Sequence, residues 1–184
     1  MIAIGQYNDL RIIKKTDTGL ILTDGEKDVL LPYTEVPKDA EVGENINVFV
    51  YMHKDNRLVA TSKRPLACVG DFAYLSVVDD NEDGAYVSIG IDKDVYVPGR
   101  EQKRPMFKGD KHVVFVYLDE SNDRMLASTR LLNFVEEEDI DLEEGDEVSL
   151  LIADRSDMGY NAIIDNKYIG LLYTNELFDV INPG

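Results

Sequence analysis

Val48-Phe49-Val50-Tyr51 recurs as Val114-Phe115-Val116-Tyr117, 66 residues further along the same chain. Ala60-Thr61-Ser62 recurs as Ala127-Ser128-Thr129 at nearly the same offset, and Lys27-Asp28-Val29 recurs as Lys93-Asp94-Val95. Between these landmarks both copies carry short β-branched and aromatic runs broken by Asp, Asn and Gly, and an arginine, Arg57 or Arg124, follows the last polar turn. Self-similarity at a fixed period marks a repeated structural unit, and the residue types mark it as a β unit.

Each copy reads as five short strands in about 65 residues, with a glycine-containing turn between the first two: Asp17-Thr18-Gly19 in one, Glu82-Asp83-Gly84 in the next. The expected class is all-β, as tandem five-stranded Greek-key barrels of the OB type; an SH3-like barrel fits the same spacing. Helical periodicity is confined to one-turn stretches at residues 32–36 and 174–178. A third copy begins near Gly145, with strand-like residues 148–153, a turn at Ser156-Asp157-Met158-Gly159 and a strand at 160–164. It has no counterpart of the Val-Phe-Val-Tyr strand. The expected modules are residues 1–66, 67–135 and 136–184, the last comprising an acidic linker and an incomplete barrel. Unpaired barrel edges invite pairing, so the third module is expected to be completed by further chain or by another molecule.

The chain carries a formal net charge of −17, which at first opposes a nucleic-acid partner. Its distribution weakens that objection: residues 1–66 hold 9 basic and 10 acidic side chains, 67–133 hold 8 and 12, and 134–184 hold 2 and 14. The acid is concentrated in the last third, chiefly in the run Glu136-Glu137-Glu138-Asp139 through Glu147, which reads as a solvated connector extended by self-repulsion. No apolar run approaches the roughly 18–20 residues of a membrane span, and the first residues have no basic leader pattern, so a cytoplasmic protein with no membrane partner is expected. The single cysteine, Cys68, with two histidines, His53 and His112, is too small a set for a Cys/His metal site. Cys68 is expected in an apolar core.

Several segments resemble a known family. Tyr168-Ile169-Gly170-Leu171-Leu172-Tyr173-Thr174-Asn175-Glu176-Leu177 is similar to the third-strand signature of S1-type RNA-binding domains, and Val29-Leu30-Leu31-Pro32-Tyr33-Thr34-Glu35-Val36 is a degenerate form of it. Gly84-Ala85-Tyr86-Val87 resembles the Gly-Ala-Phe-Val of their second strand. Val95-Tyr96-Val97-Pro98 with Arg100-Glu101-Gln102, and the junction from Ala60-Thr61-Ser62-Lys63-Arg64-Pro65 to Val69-Gly70-Asp71-Phe72, are similar to the conserved virulence factor B family. That resemblance implies a bacterial cytoplasmic protein of tandem S1-type modules with a C-terminal winged helix, acting in RNA binding and gene regulation. No counterpart of the winged helix occurs in this sequence, which implies a longer natural protein.

Single strands are held by aromatic faces that stack on bases and by basic side chains that follow the phosphates. The resemblance places stacking aromatics on strands two and three. The strand-two position is Tyr86 in the second module, but Ile21 in the first and Asn161 in the third; the strand-three position is Pro32, Pro98 and Tyr173. Tyr86 and Tyr173 are therefore the candidate stacking residues, and a structural role on a half-buried face is the alternative for each. Arg100, Lys103, Arg104, Lys108 and Lys111 form a basic loop between strands three and four of the second module, while Lys63, Arg64, Lys14 and Lys15 extend the possible track. For any single lysine, solubility alone is the competing explanation.

Asp79-Asp80-Asn81-Glu82-Asp83-Gly84 matches the opening of a calcium-binding loop, but Gly90 stands where a bidentate Glu is required, so a polar hairpin turn is expected and no metal. No nucleophile elbow or phosphate-binding glycine loop is present, so no enzymatic activity and no cofactor are expected. The expected function is single-stranded RNA binding in a regulator of gene expression. A protein-interaction scaffold of degenerate barrels is the alternative.

Overall fold

The computed structural model describes residues 1–138 and 140–184. Asp139, within the acidic run, lies outside the described residues. The first barrel is built from β1 (Gln6–Lys15), β2 (Gly19–Thr23), β3 (Asp28–Pro32), β4 (Asn45–Met52) and β5 (Leu58–Thr61), closed in the order β1-β2-β3-β5-β4. The second repeats it with β6 (Phe72–Asn81), β7 (Gly84–Ser88), β8 (Asp94–Pro98), β9 (Lys111–Asp119) and β10 (Arg124–Ser128). The third module is a three-stranded sheet of β11 (Leu150–Arg155), β12 (Gly159–Ile164) and β13 (Tyr168–Tyr173). Four single 3-10 turns, at Tyr33–Glu35, Gly99–Glu101, Leu131–Asn133 and Thr174–Glu176, supply the helical content of the described residues. Two five-stranded closed barrels, each with a parallel β3–β5 or β8–β10 pair, decide for the OB type over the SH3 alternative.

By density of contacts the chain divides into two compact units. One comprises Met1–Val69, Ile89–Asp94 and Leu118–Met125; the other comprises Gly70–Ser88, Val95–Tyr117 and Leu126–Gly184.

Alternation of side chains explains the short strands. In β2 and β3 the buried Leu20, Leu22, Val29 and Leu31 point into the barrel, where they meet Leu10, Ile12, Val48 and Val50. In β7 and β8 the buried set is Ala85, Val87, Val95 and Val97, which leaves Tyr86 and Tyr96 on the outer face. The repeated Val-Phe-Val-Tyr strand is apolar on both faces because both are covered. Val48 and Val50 fill the barrel, whereas Phe49 stacks with Tyr51 (6.4 Å between ring centres) and meets Tyr7 edge-on at 5.8 Å. In the second copy Phe134 covers the equivalent face, stacked on Phe115 at 4.4 Å and on Tyr117 at 5.3 Å.

β1 and β6 each pair with a different neighbour at each end, β11 pairs with β12, and all three first strands carry a bulge. The register slips between Ile12 and Lys14, between Val77 and Asp79, and between Ile152 and Asp154. A bulge adds one residue to one strand and increases local twist, which lets a single strand serve two sheets of a barrel.

Cys68 is half-buried, flanked by the buried Ala67 and the half-buried Val69, and so does not sit in a core as expected. The segment before β7 is a hairpin turn, in which the Asn81 side-chain oxygen accepts hydrogen bonds from the backbone N–H of Asp83 (2.9 Å) and Gly84 (3.1 Å). The acidic connector is largely exposed, yet Glu136 is tied to Lys167 by a backbone hydrogen bond of 2.9 Å and an ion pair of 3.4 Å. Among the described residues no helix is long and apolar enough to cross a membrane.

Gly19, Gly84 and Gly159 open the second strand of each module, and an added Cβ would overlap the carbonyl oxygen of Leu31, Val97 or Leu172 on the third strand. At Gly84 the same Cβ would also strike the Tyr96 ring. Gly84→Ala is therefore expected to destabilise the second barrel by about 1–3 kcal/mol, the scale of overpacking. A urea midpoint unchanged by the substitution would contradict this close approach.

Candidate nucleic-acid interface

Period-two alternation sets the outer face of β7 and β8, and the face is aromatic. Tyr86 and Tyr96 lie 5.0 Å apart between ring centres, tilted by 41°, both half-buried. Burial pushes the Tyr96 phenol up from its ordinary value, with the Asp83 carboxylate and Tyr86 adding to the effect. Tyr96 was not among the sequence-derived candidates. Its signal was present in the alternation Val95-Tyr96-Val97 and required only knowledge that β8 lies beside β7.

The basic loop between β8 and β9 divides. Lys108 docks on β6: its backbone N–H donates to Asp80 at 2.8 Å and its ammonium lies 4.0 Å from Asp79. Asp79 is the register partner of Tyr86, so Lys108, Tyr86 and Tyr96 form one neighbourhood. Lys111 lies over the Tyr74 ring, 5.7 Å from its centre, a cation–π geometry. Lys103 points elsewhere, donating to Asp154 at 2.8 Å. Arg100 lies 3.9 Å from Glu101, and Arg104 is exposed and makes no ion pair among the described residues. Tyr173 ends β13 opposite Gly159 and is 46% exposed.

Lys63 and Arg64 belong to the other compact unit. Lys63 bridges two carboxylates, Glu35 and Asp92, each at 3.1 Å, and Thr61 donates to the same Glu35 at 2.9 Å. Arg64 is exposed. That unit holds a second basic group, built around Arg124, the arginine that follows the polar turn. Arg124 donates to the Lys54 carbonyl at 3.3 Å and to the Asn56 side-chain oxygen at 3.0 Å. Burial pulls the nearby Lys93 ammonium below its ordinary value, the charges of Arg124 and Lys54 push it further down, and Asp94 opposes them.

The third module shows what the bulge does to chemistry. Lys14 faces Ile21, Asp79 faces Tyr86 and Asp154 faces Asn161, so the first residue after each bulge is the register partner of the strand-two platform position. In the third module the pair has become a hydrogen bond, from the Asn161 amide nitrogen to Asp154 at 2.6 Å.

The family model for the S1 domain matches residues 4–63 and again 69–130, which together make up most of the chain. The chain belongs to the S1 domain family. An S1 module is thus the unit that repeats, and the two matches coincide with the two closed barrels. Among curated proteins, this S1 chain is 39% identical over 113 residues to the uncharacterized protein YitL of Bacillus subtilis, covering 58% of this chain and 38% of YitL. It is 26% identical over 128 residues to conserved virulence factor B of Staphylococcus epidermidis strain RP62A, covering 65% of this chain and 42% of that protein. The likeness to conserved virulence factor B read from the sequence therefore holds, and the matched segment spans about two fifths of each relative. A solved multidomain protein with nucleic acid binding domains from Streptococcus pneumoniae superposes at a TM-score of 0.59 with 16% identity, covering 96% of this chain and 64% of its own, and so shares the fold.

Burial raises the Asp154 carboxyl, but hydrogen bonds from Lys103 and Asn161 and the charges of Lys103 and Arg104 outweigh it and hold the group below its ordinary value. A depressed carboxyl stabilises the fold above its unfolded pKa of about 3.9, and that contribution is lost as pH falls through the folded value. Lys103→Met removes the strongest of the lowering contacts. Asp154 is then expected to titrate at higher pH in a carboxyl-carbon NMR titration, and an unshifted titration would show that Lys103 does not hold it.

Proposed function

We propose that the chain is a cytoplasmic single-stranded RNA-binding protein that serves in control of gene expression and carries out no catalysis. RNA is bound on the outer face of β7 and β8, with bases stacking on Tyr86 and Tyr96 and phosphates contacted by Lys108, Lys111, Arg100 and Arg104. The observation that carries this reading is the tyrosine pair with Lys108 docked beside it. Membership of the S1 family supports it, as does the shared fold with a protein described as having nucleic acid binding domains. The ion pairs made by Arg100 and Lys108 are exposed at the cation, and pairs of that kind contribute only about 0–1 kcal/mol, so exchange of a carboxylate for a phosphate meets little resistance.

A second reading is a protein-interaction scaffold. It is favoured by Ile21 and Asn161, which stand at the platform position of modules one and three and offer no ring to a base. The two readings diverge in a fluorescence anisotropy titration with a labelled single-stranded oligonucleotide. RNA binding predicts an affinity that falls linearly in log–log form with salt, with a slope near −0.7 for each phosphate contacted. Tyr96→Ala should weaken binding by about 1–3 kcal/mol, the worth of one stacked base. Absence of binding at low salt would favour the scaffold, and binding that survives charge reversal at both Lys108 and Arg104 with an unchanged salt slope would remove the basic loop from the interface.

A further inference from the structure

We propose that the second compact unit holds a pocket for one unstacked RNA base carrying an exocyclic amine, formed where the turn after β10 meets β11, β12 and β13. The inference rests on the RNA-binding reading and names a site for it outside the tyrosine face.

The pocket is a cavity of about 280 Å³, near the lower end of the roughly 300–1,000 Å³ typical of small-ligand sites, which is room for one base and not for a stack. Its apolar walls come from Leu131, Leu132, Ala153 and Ile169. Its polar edge comes from Lys103, Arg130, Asn133, Asp154 and Asn161. A flat heterocycle needs this combination: apolar surface for its faces and a few fixed polar groups for its rim.

The polar groups are fixed. Asp154 accepts from Lys103 through one oxygen at 2.8 Å and from Asn161 through the other at 2.6 Å. Asn161 thereby uses one amide hydrogen and keeps its carbonyl oxygen and second hydrogen for a ligand. The backbone N–H of Lys103 donates to Thr129 at 2.8 Å, which anchors the lysine stem beside the pocket. The Arg130 guanidinium donates to the carbonyl oxygens of Arg100 (2.7 Å) and Gln102 (3.4 Å), an arrangement that orients a planar cation against which a base can stack.

Charge selects the base over the phosphate at the centre. Asp154 is held ionised by its neighbours and repels a phosphate, while carboxylate and amide oxygens accept from the amino group of adenine or cytosine. Arg104, which is exposed, is available to a flanking phosphate. Asn161 occupies the second-strand position at which module two carries Tyr86, so module three offers an edge-reading contact where module two offers a stacking one.

The test is a binding titration of the full chain with labelled oligo(A) and oligo(U) of equal length, repeated with Asn161→Leu after its fold has been checked by circular dichroism. The parent is expected to prefer oligo(A) by roughly 5- to 100-fold, the discrimination worth of one good base-edge contact. Asn161→Leu is expected to abolish the preference by weakening oligo(A) alone. RNA binding without preference, or a preference that the folded variant retains, overturns the pocket and leaves RNA binding standing; no binding of either strand overturns both. A measurement independent of the variant's folding is the Asn161 side-chain amide resonance of the parent protein. It should shift on addition of oligo(A) and stay in place with oligo(U), and an unmoved resonance under saturating oligo(A) overturns the pocket.

Discussion

The bulge in the first strand of each module is the constraint on which the rest of the structure depends. β1 must pair with β2 through one half and with β4 through the other, because a barrel of five short strands closes only if one strand turns from one sheet into the next. A regular strand of ten residues does not bend that far, and the slip at residue 13 supplies the bend. The same slip at residue 78 lets the second barrel close, and it recurs at residue 153 in the third sheet. Glycine opens each second strand because that residue lies against a carbonyl group of the third strand.

One geometry therefore carries three chemistries. The residue after the bulge always meets the platform position, and in the chain these pairs are Lys14 with Ile21, Asp79 with Tyr86 and Asp154 with Asn161. In the second module the carboxylate stands beside a ring and draws in Lys108. In the third it is hydrogen-bonded to an amide and draws in Lys103. Two lysines from one loop are thus sent to different places by acids at equivalent positions. The loop acts as a distributor of positive charge and not as one basic patch.

This also explains how a chain of net charge −17 keeps exposed cations on its surface. Its carboxylates are near enough to position Lys108 and Arg100, yet these pairs are exposed at the cation and weakly bound. Lys63 is the contrast. Its partner Glu35 is buried, is also held by Thr61, and shares the ammonium with Asp92, so this lysine is part of the framework of its unit. Net charge misleads here because screening over about 8–10 Å makes each site answer to its own neighbours.

What the sequence made legible follows from the range over which each feature is determined. Strands, turns and the repeat are local, and the alternation in Gly84-Ala85-Tyr86-Val87 was enough to put Tyr86 outside the barrel. Tyr96 is not legible because its place arises across strands: a tyrosine at an ordinary β position joins an aromatic pair only when β8 lies beside β7. Cys68 was misplaced for the complementary reason, since small apolar character does not distinguish a core from a junction. The pair of Asp154 and Asn161 was hardest to see, because a bulge shifts the register by one residue and no composition rule announces it. Simple alternation without the slip would set Ala153 opposite Asn161, with an apolar contact and no held lysine; one inserted residue turns that contact into a polar anchor. In this fold the bulge is therefore as much a determinant of site chemistry as of shape, and the residue that follows it is the first place to look for what a module recognises.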